Sequence, residues 1–173
     1  GAIVAASDLM MPKPLITGGG QEKGHRAGTE NTPAIVGFGA AAQVAGQAFS
    51  QADRIGAMRD GLERRILAIC PDAVIYGAAA QRVSNTTFFS LPGIKAETAQ
   101  IAFDLAGVAV SAGSACSSGK VGPSHVLKAM GFGDGAGALR VSMGWGTIEE
   151  DIQDFERTLA GLIARRDSAM RAA

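Results

Sequence analysis

Two stretches carry the same helical period, and they constrain the fold more than anything else in the chain. Ile55, Met58, Leu62, Ile66 and Ile69 recur on one helix face, and Ile148, Ile152, Phe155, Leu159, Leu162 and Ile163 repeat the pattern near the end. Each helix must bury its apolar stripe against another layer. The β-rich runs between them are short: Val74-Ile75-Tyr76, Thr86-Thr87-Phe88-Phe89-Ser90, and Leu139 to Met143. Strands this short suit a small sheet with helices packed on it. The expected class is α+β.

The rest of the chain is read in order. Gly1 to Ala6 is an apolar run expected to be a strand whose partners lie upstream, and Met11-Pro12-Lys13-Pro14 breaks regular structure. Gly18 to Asn31 is a glycine-rich loop in which Arg26 and Thr29 supply a cation and a hydroxyl, both suited to an anion. It is not a P-loop, because no Gly-Lys-Ser/Thr ending is present. Thr32-Pro33 reads as a capping hydroxyl and a first-turn proline, starting a helix over about 33–49. Small residues dominate that helix, so it is expected to pack tightly on its neighbours.

Asp53 is expected to cap the next helix, and Pro71 to end it. Arg54, Arg59, Asp60, Glu63 and Arg64 read as a solvated face, and Cys70, in the last turn, as a structural thiol. A helix is expected over 96–106 and a strand at Val108-Ala109-Val110. Gly122-Pro123-Ser124 opens a helix from His125 to Met130, with His125 in its first turn, where a structural role is expected. In the strand 139–143, Leu139, Val141 and Met143 share one face, and Arg140 and Ser142 the other. Thr147-Ile148-Glu149-Glu150 reads as a capping box, and the tail from Arg165 to Ala173 as a fraying end.

Charge narrows the function. Lys plus Arg equals Asp plus Glu at 16 each, and the isoelectric point is near 6.9. A neutral balance gives no footprint for nucleic acid or an anionic membrane. No apolar run approaches the roughly 20 residues of a membrane span. No secretory signal is read at the start, so a cytoplasmic location is expected. Two cysteines make no disulfide framework, and no histidine or carboxylate cluster suggests a metal.

One of those cysteines stands in Ser111-Ala112-Gly113-Ser114-Ala115-Cys116-Ser117-Ser118-Gly119-Lys120. Small, hydroxylated and flexible residues surround Cys116, so a displayed nucleophile and an ordinary loop thiol both remain open from composition alone. Lys120 or His125 could favour its thiolate. The run from 111 to 131 (SAGSACSSGKVGPSHVLKAMG) resembles the catalytic-cysteine loop of the cysteine desulfurases, pyridoxal-phosphate (PLP) enzymes of the class V aminotransferase superfamily. GGGQEKGHRAGTEN, 18–31, resembles their glycine-rich segment, and LRVSMGWGTIEEDI, 139–152, their substrate-arginine strand and final helix.

The resemblance implies the small C-terminal domain of a fold-type-I PLP enzyme over 32–173. It assigns 1–31 to a large domain that the chain lacks. It implies that Cys116 is the persulfide-forming nucleophile and that Arg140 grips the substrate α-carboxylate. It further implies that Thr29 contacts the PLP phosphate across a homodimer interface. The implied substrate is L-cysteine, the product L-alanine, and the acceptor a protein such as an iron–sulfur scaffold. The chain departs from the family in one respect: no lysine matches the cofactor-anchoring position, which lies in a histidine–lysine motif upstream of the glycine-rich segment. The chain is therefore expected to be a fragment, a truncated product or half of a split enzyme, inactive alone. The alternatives are a non-catalytic persulfide carrier or interaction module, and a structural remnant.

Overall fold

A computed structural model describes residues 1–113, 124–132 and 137–172. The described chain divides into two compact units, Gly1–Ser50 and Gln51–Ala173.

The first unit has little regular structure before its helix. Gly1 to Ala6 forms no strand, since no described strand pairs with it. Helix α1 spans Thr32–Ala48. Its cap is Asn31, one residue earlier than expected: the Asn31 side chain accepts from the Ala34 N–H at 3.1 Å, and Thr32 is already helical. The amide oxygen is as good a capping acceptor as a hydroxyl. The expectation that α1 packs tightly fails within this chain. Ile35, Val36, Phe38 and Val44 are all exposed, and no described residue of the first unit is buried.

The second unit holds the core. Helix α2, Ala52–Ile69, starts one residue before Asp53, so Asp53 sits in its first turn and not at the cap. Ile55, Leu62 and Ile66 are buried, with Met58 and Ile69 packed beside them, as the spacing required. Strand β1 is Val74–Ile75 and β2 is Thr86–Ser90. Helix α3 runs Ala96–Leu105. Strand β3 is Ser111–Ala112, so the strand expected at 108–110 begins three residues later. Helix α4, His125–Ala129, is capped by the Ser124 hydroxyl, which accepts from the Leu127 N–H at 3.4 Å. Strand β4 is Leu139–Ser142, and helix α5 is Glu149–Ala172.

The strands make one antiparallel sheet in the order β1-β2-β4-β3. Helices α2, α3 and α5 pack over it around one apolar cluster. At its centre Phe155 of α5 stacks on Phe103 of α3 with centroids 4.7 Å apart, and meets Phe89 of β2 edge-on at 6.2 Å. Glycine is required where Gly137 approaches the start of α3, because a β-carbon there would lie 2.9 Å from that of Ala96.

Two expectations about α5 change. Thr147 does not close a capping box. Its hydroxyl accepts from the Gly144 N–H at 2.9 Å, while the Asp151 carboxylate accepts from the Ile148 N–H at 2.9 Å. The tail does not fray at Arg165 either. Arg166 fastens it, donating to the Pro92 carbonyl and to both carboxylate oxygens of Asp72.

Phe155→Ala should lower the unfolding free energy by roughly 3–5 kcal/mol, the usual range for a large aromatic removed from a core. Urea unfolding followed by far-UV circular dichroism measures it. A loss below about 1 kcal/mol would mean that Phe155 is not the centre of the core.

Candidate functional site

Strand β4 positions Arg140. Leu139 is buried and Met143 is buried, so the alternation leaves Arg140 on the exposed face. Its direct cross-strand neighbours are Ser111 of β3 and Phe88 of β2. The Arg140 Nη2 donates to the Ser111 hydroxyl at 3.4 Å, its one hydrogen bond among the described residues. The remainder of the guanidinium fork is open to a bidentate acceptor such as a carboxylate.

Both ends of the cysteine loop rest on one spot. The Gly113 N–H donates to the Ala138 carbonyl at 3.0 Å. On the far side, Ser124 is buried and Leu127 packs with Ala138 and Tyr76. Tyr76 is held in turn by its hydroxyl, which donates to Ser90 at 2.9 Å, and by ring contacts with Phe88 and Phe132. Cys116 and Lys120 lie outside the described residues, as does the side chain of His125. The structure therefore brings Arg140 to the base of the loop and does not place the sulfur.

Thr29 belongs to the first unit. It is exposed, and it lines a cleft of about 610 Å³ with His25, Arg26, Asn31, Ile35 and Phe38. Arg26 is not the free cation expected from sequence. Its Nη1 donates to the carbonyls of Gly28 at 2.6 Å and Thr29 at 3.1 Å.

Cys70 is the structural thiol expected, and its polar surroundings carry no local sequence signal. Cys70 is fully buried at the end of α2, and its thiol donates to the Asp72 carboxylate at 3.0 Å. Arg166 Nη1 lies 3.5 Å from the same sulfur. Burial, and then the Asp72 carboxylate, push the thiol up to about 11; Arg166 opposes this and does not win. Cys70 is thus protonated and unreactive at neutral pH. The charges on α2 also do more than meet solvent. Arg59 donates to the Val83 carbonyl at 2.8 Å, Glu63 pairs with Arg82 at 2.7 Å, and Arg54 donates to the Trp145 carbonyl at 2.9 Å. No signal in the sequence marks these long-range ties, because single charges carry no period.

Comparison with known proteins decides the family. Residues 14–155 match the model of the aminotransferase class-V family. The chain belongs to the class-V aminotransferases. Within that family it is 44% identical over 153 residues to a cysteine desulfurase of Cereibacter sphaeroides, covering 87% of this chain and 39% of the relative. It is 39% identical over 156 residues to the cysteine desulfurase NifS of Azotobacter vinelandii, covering 88% and 39%. Among solved structures, a NifS-like protein from Rickettsia africae superposes with a TM-score of 0.69 at 33% identity, covering 86% of this chain and 39% of that one. The α+β class read from sequence agrees with these neighbours. This class-V aminotransferase chain spans about two-fifths of the length of the curated relatives it matches. Among its described residues no helix is long and apolar enough to cross a membrane, and no group of His, Cys, Asp and Glu could hold a metal.

In a Cys116→Ser chain, Cys70 should resist Ellman's reagent at pH 8 when native and react fully in denaturant. Rapid native labelling would contradict a buried, raised thiol. The pH dependence has a definite sign. The folded state favours the neutral thiol, whose ordinary value is about 8.5, so its contribution is complete below that pH and is lost as pH rises through about 11. Between these values, stability should fall more steeply in the Cys116→Ser chain than in the same chain carrying Cys70→Val.

Proposed function

We propose that this chain is the C-terminal part of a PLP-dependent cysteine desulfurase. In the complete enzyme, sulfur passes from L-cysteine to Cys116 as a persulfide, leaving L-alanine. It then moves to an acceptor such as an iron–sulfur scaffold protein. The observation that carries the reading is Arg140: an exposed strand arginine with most of its fork open, paired with Ser111 where β3 enters the cysteine loop. Cys116 lies five positions after Ser111, a span of at most about 18 Å when fully extended. A carboxylate held at Arg140 and a thiolate from the loop thus suit one small amino-acid substrate.

The cofactor fits these residues only in part. The Thr29 hydroxyl makes no hydrogen bond among the described residues and is available to a phosphate. Arg26 is committed to its own loop. Lys13, Lys23, Lys95, Lys120 and Lys128 match no anchoring position. The chain alone therefore lacks the cofactor's anchoring lysine. The remaining three-fifths of a relative's length would supply the anchor, with Thr29 reaching the partner's phosphate in a homodimer. Helix α1 supports a larger assembly. No charged residue stands between Asn31 and Ala52, and the exposed Ile35, Val36 and Phe38 of an uncharged helix belong against a partner surface. In this reading residues 1–31 go with the large domain, and 32–173 form the small one.

The missing lysine also favours a second reading, a persulfide carrier that receives sulfur on Cys116 from elsewhere. Sulfide release separates the two. The purified chain with PLP and L-cysteine should release none. Adding the large-domain segment of a related desulfurase in trans should restore release, and Cys116→Ser should abolish it again. Continued silence, together with persulfide labelling of Cys116 by an external desulfurase, would favour the carrier. In the restored enzyme, Arg140→Lys should raise the KM for L-cysteine about 10- to 100-fold, the equivalent of roughly 1.5–3 kcal/mol for a lost charge-assisted contact. An unchanged KM would remove Arg140 from the substrate site.

A further inference from the structure

Strands β3 and β4 part early. Their register pairs Ser111 with Arg140 and Ala112 with Leu139, and the Gly113 N–H extends it to the Ala138 carbonyl at 3.0 Å. Hydrogen-bonded pairs alternate along an antiparallel ladder, so Ala109 with Ser142 would be the next one. Among the described residues no backbone bond joins them. The cause is α3. The Val108 N–H donates to the Phe103 carbonyl at 2.9 Å, and the Gln100 side chain donates to the Val110 carbonyl at 3.3 Å, so the segment 108–110 is held against the helix. Strand β4 stays paired on its other edge, where the Met143 N–H donates to the Asn85 carbonyl at 2.8 Å. The Ser142 N–H and carbonyl belong to the opposite edge, the one that faces the gap.

The gap leads into a cavity of about 200 Å³. Its floor is apolar, made by the buried Leu62, Ile152 and Phe155. Asp151 and Asp154 of α5 also line it, and no lysine or arginine does. One oxygen of Asp151 accepts from the Ile148 N–H at 2.9 Å, and Asp154 pairs with the exposed Arg157. Ala109 and Ser142 are themselves exposed, so the gap is a way in. The cavity is distinct from the Arg140 site. It lies on the helix side of the sheet, with Val141 and Met143, whereas Arg140 stands on the other face. A volume of this size equals roughly six waters at about 30 Å³ each, but the apolar floor offers them no hydrogen bonds.

We propose that this cavity between β3 and β4 binds an apolar α-amino amide, the chemistry of leucinamide or of a peptide that begins with an apolar residue. Each part of such a ligand has a counterpart. The amide supplies one donor and one acceptor, which the unmade Ala109–Ser142 pair lacks. The side chain covers Leu62, Ile152 and Phe155. The ammonium meets a lining that carries carboxylates and no cation. A free amino acid fits less well, because its carboxylate would stand beside Asp151 and Asp154. The site rests on the strand geometry alone and does not depend on the sulfur chemistry proposed above.

The test titrates the 173-residue chain with leucinamide and follows backbone amide signals by nitrogen-15 NMR. The signals of Ala109, Val110, Val141 and Ser142 should shift saturably, with a Kd of about 1 mM or tighter. Glycinamide, which lacks the side chain, and N-acetyl-leucinamide, which lacks the charge, should each bind at least about tenfold more weakly. Val108→Phe, which fills the cavity, should abolish the shifts. Asp154→Asn is the milder variant and should weaken binding about threefold or more while the α3 signals stay in place. Shifts that do not saturate by about 10 mM, that fall outside the cavity, or that glycinamide or N-acetyl-leucinamide reproduces equally would overturn the proposal. So would a hydrogen bond between Ala109 and Ser142 detected in the free chain, because the gap would then be closed. A final arm separates the two sources. If Leu-Ala-Ala amide binds as tightly as leucinamide, the natural ligand is a peptide end; if its binding is lost, the ligand is a free amino amide. Either result upholds the site.

Discussion

The second unit depends on Phe155. Its ring lies flat on Phe103 and edge-on to Phe89, so one side chain joins α5, α3 and β2. Because β2 is fixed there, the pairing of Phe89 with Leu139 and of Phe88 with Arg140 is fixed as well. A slip of one residue along β4 would turn Leu139 out and bury Arg140. The Arg140 charge is thus held at the surface by apolar residues on either side of it in sequence. Packing and chemistry are not separable in this strand.

Much of this is legible in the residues themselves. The two helical stripes mark α2 and α5, and the alternation in 139–143 is enough to put Arg140 on the outer face. What is not legible has identifiable causes. Val108-Ala109-Val110 has strand composition, but pairing with Leu139 and Arg140 falls on Ala112 and Ser111. Strand formation follows the partner more than the propensity. Thr32 has the look of a cap because hydroxyls cap well, yet Asn31 stands one residue nearer with an equal acceptor. The polar tail looks loose because its anchor is a single arginine. Its partners, Asp72 and Pro92, lie far upstream, where no local pattern could reveal them.

The two units answer opposite physical demands. The second closes an apolar cluster over its own sheet and needs nothing further to bury Phe89, Phe103 or Leu159. The first offers α1, uncharged along its whole length and exposed, with Leu9, Leu15 and Val4 almost fully open as well. Ordering such a segment costs conformational entropy that its own contacts do not return. What order it keeps comes from local devices, chiefly the Asn31 cap and the ties around Arg26.

Arg26 and Arg140 show how far residue type alone carries a functional argument. Both are arginines in segments that resemble a desulfurase, and both read as cations waiting for an anion. In the structure they part. Arg140 stands on a strand whose inward side is filled by Leu139 and Met143, so among the described residues its fork has only Ser111 to hold. Arg26 stands in a loop whose carbonyls have no strand or helix to satisfy them, and a buried or crowded carbonyl needs a donor. The guanidinium meets that need first. An arginine in regular structure is not drawn into backbone pairing, because the backbone around it is already paired. An arginine in an unpaired loop is drawn into the loop's own hydrogen bonding.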